Sequence, residues 1–128
     1  MSTGRFNFTK DERLHLNKDF QRVFKEGRAK HSGAMVLYSR SRHSDRLNRS
    51  LPRVGIIVSR KTAGAVQRNK LKRRLREIFR LNKNKLKPDI DMVIIGKKEA
   101  ANMDYTELEK TLLNLWRKAG ILRKVPIA

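Results

Sequence analysis

An α+β fold is predicted for this 128-residue chain, with one central sheet of about four strands and three helices packed on it as a small sandwich. Two observations carry that prediction. The runs "GAMVLYSR", "RVGIIVSRK" and "DMVIIG" have the length and apolar content of strands, whereas "LNKDFQRVFKEG", "AVQRNKLKRRLREIFR" and "LEKTLLNLWRKAG" place apolar residues every three or four positions, as helices do. The length adds a third constraint: a chain of this size supports one core, so residues 1–128 read as a single domain with loosely held ends at about 1–9 and 121–128.

In chain order, Leu16, Phe20, Val23 and Phe24 form one stripe of a first helix, which Asn17 can cap and Gly27 can end. Met35 to Tyr38 read as a strand. The polar, basic segment 39–50 then reads as a loop joining a hairpin. In the next strand Val54, Ile56 and Val58 share one side, with Gly55, Ile57 and Ser59 on the other, and Gly55 suggests close approach of another backbone. "DMVIIG" is apolar throughout, as a central strand should be. The final helix is the best specified: Asp104 and Glu107 make a capping box, Met103 can staple onto Leu108, and Leu108, Leu112, Leu115 and Trp116 form the core stripe that Gly120 ends. A fourth short strand is expected near Phe6 to Phe8.

Composition narrows the partner. Hydrophobic residues make up 38%, charged residues 34%, and the formal net charge is +20, which attracts polyanions. RNA and DNA fit better than a membrane surface, since no apolar run approaches the roughly 20 residues that span a bilayer. The start "MSTGRFNFTKDERLHL" lacks the apolar stretch of a secretion signal, and the cytoplasm is the compartment expected. Absence of cysteine excludes disulfides, thiol catalysis and thiolate metal sites.

Residues 65–80 decide how the charge is presented. On a helical wheel Ile78, Leu71, Leu75 and Phe79 fall within an arc of about 100°, able to dock on a sheet. The next arc of about 100° holds Lys72, Arg76, Asn69, Arg80 and Arg73, with Lys70 and Arg74 beyond it. The segment is therefore a folded helix with a basic face. Guanidinium groups one and two turns apart can follow a phosphate backbone, and Asn69 adds a donor and an acceptor for a base edge or a 2′-hydroxyl. About five phosphate contacts here imply a log-log salt slope of about −3.5 to −4.5.

The stretch "RVGIIVSRKTAGAVQRNKLKRRLREIFR" closely resembles the signature of the bacterial ribonuclease P protein subunit, a strand leading through a Gly-x-Ala-Val turn into an Arg-Asn-Arg helix. "RLHLNKDFQRVFKEG", "DMVIIG" and "LEKTLLNLWRKAG" resemble that family's first helix, last strand and last helix, so the likeness covers about residues 10–119. Lys70 stands where the motif has its second arginine; it keeps the charge and loses the bidentate fork. The resemblance implies a ribonucleoprotein in which a catalytic RNA removes the 5′ leader of precursor tRNA with magnesium bound mainly by the RNA. It implies no covalently bound cofactor and no obligate protein partner. It also implies a left-handed crossover between Val58 and Met92, an exception to the usual hand. By the same resemblance Arg68, Asn69, Lys70, Lys72, Arg73 and Arg76 bind RNA, and Phe20, Phe24 and Tyr38 line the leader-binding cleft; Arg80, on the basic arc of the wheel, and Lys61, before the turn, join the RNA-binding set. Periodicity alone reads Phe20 and Phe24 as core residues.

Chemistry by the protein's own side chains is not expected. Asp89 and Asp91 alternate at a strand entry where acids are common, and His15, His31 and His43 fall in a helix start and two loops without metal-ligand spacing. Neither "GRAKHSG" nor "KTAGAV" has the ending of a phosphate-binding loop. The rival readings are a basic ribosomal or other structural RNA-binding protein and a DNA-binding regulator.

Overall fold

The computed structural model describes residues 12–14, 17–42 and 51–123. Its elements are helix α1 (Asn17–Glu26), strands β1 (Arg28–His31), β2 (Met35–Ser41) and β3 (Arg53–Val58), helix α2 (Ala65–Asn82), strand β4 (Ile90–Gly96) and helix α3 (Tyr105–Ala119). Short 3-10 turns at Lys83–Lys85 and Lys98–Asn102 lead into β4 and α3.

The sheet order is β1-β2-β4-β3. Strand β4 takes an inner position because it is apolar on both faces; it runs antiparallel to β2 and parallel to β3, with α2 as the crossover that a parallel pair requires. This corrects the expected loop and hairpin: residues 39–41 belong to β2, and the chain from there to β3 does not join paired strands, since β4 lies between β2 and β3. The fourth strand is β1, while the stretch near Phe6 to Phe8 lies outside the described residues. Strand β1 has no apolar alternation and forms through the turn that follows it. There the Ser32 hydroxyl accepts from the amides of Ala34 (3.2 Å) and Met35 (3.1 Å), and the Ser32 amide donates to the Met35 carbonyl (2.9 Å). Arg28 and Lys30 charge this edge strand, which discourages pairing with other chains. His31, expected in a loop, ends β1.

Alternation along the strands divides the core in two. Val54, Val58, Met35, Leu37, Met92 and Ile94 face α2 and α3 and make the main core with the stripes of those helices, Trp116 packing edge-on to Phe79. The opposite face holds a smaller cluster of Leu14, Val23 and Val93, with Phe20, Tyr38, Ile57 and Ile95 partly buried around it. Helix α1 packs over β2 and β4 on that face.

Helix ends follow local chemistry. The Asp104 carboxylate accepts from the Glu107 amide (2.9 Å) and the Glu107 carboxylate from the Asp104 amide (3.2 Å), and Gly120 closes α3 in the left-handed region at φ 71°. Asn17 is the first residue of α1 rather than its cap. Gly27 does not end α1 by a left-handed turn, as expected from sequence, because its φ is not positive. A Cβ there would lie 2.4 Å from the Val23 carbonyl oxygen and 2.6 Å from that of Ser39, so the glycine lets the helix end press onto β2. The chain is also held beyond residue 120: Ile121 is buried, Leu122 bridges Leu86, and the Arg123 amide donates to the Lys85 carbonyl (2.8 Å). Residues 121–123 are therefore not part of the loose end expected at 121–128, and residues 124–128 lie outside the described set.

Candidate nucleic-acid interface

Strand register lays three rows across the face that α1 covers. Tyr38, Val93 and Gly55 form the middle row, with Val36, Ile95 and Ile57 on one side of it and Arg40, Asp91 and Arg53 on the other. Helix α1 sits on the middle row. Phe20 packs on Gly55, where a Cβ would come within 2.4 Å of the ring, and Phe24 meets Tyr38 edge to face with centroids 4.9 Å apart. Phe24 is 38% exposed, and Ile57 and Ile95 remain partly exposed beside the helix. The result is an aromatic wall over an apolar floor, a surface on which unstacked bases can lie.

The third row fixes that wall by charge. Asp91 is buried and accepts from Arg42 Nη1 (2.5 Å), Arg53 Nε (2.8 Å) and Arg53 Nη2 (2.7 Å), with Arg40 Nη1 3.7 Å away. The same arginines reach α1: Arg40 Nε donates to Glu26 (3.0 Å), and Arg53 pairs with Asp19 at 3.7 Å. Arg42 Nη2 also donates to the carbonyls of Leu51 (2.6 Å) and Pro88 (3.1 Å). Asp91 thus joins three strands and, through its arginines, both ends of α1. Asp89 lies beside this network: its carboxylate accepts from the Ser41 hydroxyl (2.8 Å) and its carbonyl from the Arg42 amide (2.7 Å).

On the opposite face α2 buries Leu71, Leu75, Ile78 and Phe79, as its wheel predicts. The predicted basic positions lie together on its outer side, and they differ in how far they are committed. Lys61, Lys70, Lys72, Arg73 and Arg76 make no ion pair with any described residue. Asn69 is exposed among them. Arg68 Nε donates to the Ala63 carbonyl (3.2 Å), which ties it to the turn before the helix. Arg80 is held twice by Glu77, at 3.1 Å and 2.6 Å. Gly64 caps the helix without a side-chain hydrogen bond, and the first turn carries no acid, so the positive helix end adds to the field beside Lys61.

Residues 8–120 match the family model described as Ribonuclease P. The chain belongs to the ribonuclease P protein family. A ribonuclease P protein component from Dictyoglomus turgidum is 40% identical over 124 residues, covering 94% of this chain and 99% of that one. The Bacillus pumilus component is 35% identical, covering 91% and 95% of the two chains. Among solved structures, a Staphylococcus aureus RNase P protein mutant with defective mRNA degradation activity superposes with a TM-score of 0.80 at 30% identity, over 88% of this chain and 92% of that chain. The RNase P protein from Thermotoga maritima does so at 0.71 and 37%, over 84% and 96%.

Within this ribonuclease P fold, Phe20, Phe24 and Tyr38 come together on one side of the sheet, and the α2 set comes together on the other. The basic helix does not lie beside the aromatic groove: α2 and α1 occupy opposite faces and β3 separates them. Sequence reading left out Ile57 and Ile95 as floor residues, although the alternation that set Gly55 and Ile57 opposite Val54 contained the signal. It also took the neighbour of Gly55 for a backbone; the close approach is made by the Phe20 ring. Gly55→Ala should therefore push the ring out and cost about 1–3 kcal/mol in a urea unfolding curve. Shortening the ring should shrink that cost, so Gly55→Ala measured in a Phe20→Leu background should be well below the single-variant value.

Proposed function

We propose that this chain is the protein subunit of a ribonuclease P ribonucleoprotein, in which the RNA partner carries out the cleavage that matures the tRNA 5′ end. The observation that carries the reading is the two-sided surface: an aromatic, partly open groove on one face and unpaired cations along α2 on the other. A single-stranded leader suits the groove, since aromatic rings accept any base face at about 1–3 kcal/mol per stacked base. A folded RNA suits α2, where Lys61, Arg68, Lys70, Lys72, Arg73 and Arg76 can neutralise successive phosphates and Asn69 can reach a base edge or a 2′-hydroxyl. The protein then bridges the catalytic RNA and precursor tRNA.

Magnesium belongs to the RNA in this reading. The acids on the groove side of the described structure are committed to arginines: Asp91 to Arg42 and Arg53, Asp19 to Arg53, Glu26 to Arg40. A metal at any of them would have to displace a guanidinium. No helix among the described residues is long and apolar enough to cross a membrane, and we assign the protein to the cytoplasm, where tRNA is processed in bacteria.

The test is cleavage of a precursor tRNA by a bacterial ribonuclease P RNA at low magnesium. Cleavage at the mature 5′ end is expected only with the protein added. Failure with several such RNAs, despite intact binding to them, would favour a general RNA-binding role. In the same assay Phe24→Ala should lower the preference for precursor over mature tRNA while leaving affinity for the RNA subunit unchanged, because Phe24 is exposed on the face away from α2. Equal losses in both would mean that the two faces do not act separately.

A further inference from the structure

The family motif runs through the whole of α2, yet its cations are not equivalent in the fold. Arg74 Nη1 donates to the Met103 carbonyl (3.0 Å), and the Asn82 amide donates to Glu109 (3.0 Å), so α3 and the turn before it flank one side of α2. At 100° per residue Arg76 and Lys72 lie about 160° from Arg74 and Asn69 about 140°, while Arg73, about 100° away, lies next to Glu77. Glu77 stands between the two sides. It is the only acid of α2, and Tyr105 on α3 feels the charges of both Glu77 and Glu109.

We propose that Glu77 is a specificity-determining residue that ends the RNA footprint on α2 at Arg76, by holding Arg80 and by repelling phosphates from the α3 side. The inference rests on the reading that α2 faces RNA, and it sets Arg80 apart from the other cations on the basic arc of the helix. The two-pronged contact at 3.1 Å and 2.6 Å occupies the Nε/Nη2 edge of the guanidinium, one of the two edges that can hold a phosphate bidentately. The hydrogen bond from Arg80 holds the Glu77 carboxyl below the usual carboxylate range, so it is anionic at neutral pH. Burial, then the charges of Glu109 and Glu77, push the Tyr105 hydroxyl above its usual range, which marks the same flank as negative. A phosphate approaching Arg80 would meet that field. One approaching Lys72 or Arg76, about 140° and 100° round the helix from Glu77, would meet far less of it, and the register of RNA along the helix is set by that difference.

The experiment is the salt dependence of binding to a transcribed bacterial ribonuclease P RNA, with Arg76→Ala as reference. Each phosphate contact contributes a slope of about 0.7–0.9, so Arg76→Ala should reduce the slope by that amount. Arg80→Ala alone should leave it unchanged. Glu77→Gln should steepen it by about 0.7–0.9, an affinity gain about threefold larger at 50 mM than at 200 mM salt, and adding Arg80→Ala should abolish the gain. Melting temperatures within a few degrees of the parent would show that these exposed changes leave the fold intact. If Arg80→Ala by itself lowers the slope as much as Arg76→Ala, or Glu77→Gln leaves the slope unchanged while Arg76→Ala lowers it, the proposal is wrong and the RNA reading stands. If Arg76→Ala has no effect either, α2 is not an RNA face and both fail together.

Discussion

Asp91→Ala is expected to destabilise the domain by about 3–5 kcal/mol, the cost of removing one partner from a buried ion network and leaving the others uncompensated. The Arg40, Arg42 and Asp91 side chains are 5%, 3% and 2% exposed, so water cannot replace the lost carboxylate without opening the sheet end. Against a total stability of about 5–15 kcal/mol, this is a large fraction. For a domain of this size it corresponds to roughly 10–20 °C in melting temperature. Glu99→Ala is the matched control, since Glu99 is an exposed acid of the turn before α3 and its loss should shift the melt far less. A melt of Asp91→Ala close to the control would mean that the three arginines find other anions, and that α1 is held by its apolar contacts alone.

The second large effect is on RNA affinity. Replacing Lys72, Arg73 and Arg76 together by alanine should reduce the log-log salt slope for ribonuclease P RNA by about 2–3, more than half of the −3.5 to −4.5 expected from the helix. The loss should be greatest at low salt. Stability should change little, because the core side of α2 is Leu71, Leu75, Ile78 and Phe79 and none of the replaced residues belongs to it. An unchanged slope with an intact fold would remove α2 from the interface.

Several elements were legible because their determinants are local. The capping box of Asp104 and Glu107 and the left-handed Gly120 need only residues within a turn of one another, and both stand where the sequence puts them. The core arc of α2 follows from a 3.6-residue period in the same way. Strand β1 was not legible, because "RAKH" carries no alternation; its pairing depends on β2 lying alongside and on the Ser32 turn. The role of Asp91 was hidden for a related reason. Its partners lie 38 to 51 positions away in the chain, and a strand-entry aspartate looks the same in sequence whether it is solvated or sits at the centre of three guanidinium groups.

What the sequence determined by itself is the inventory: three amphipathic helices, the inner strand, a surplus of cations arranged on one side of a helix, and the motif that places the chain among ribonuclease P proteins. Periodicity and composition are properties of neighbouring residues, so they survive without coordinates. Only the tertiary structure decided that β4 divides β2 from β3, that the aromatic groove and the basic helix occupy opposite faces, and that Arg80 is held by Glu77 while Arg76 is not. Those outcomes depend on which surfaces meet when the sheet closes, and on distances of a few ångströms that decide whether a cation is already paired or is available to a phosphate.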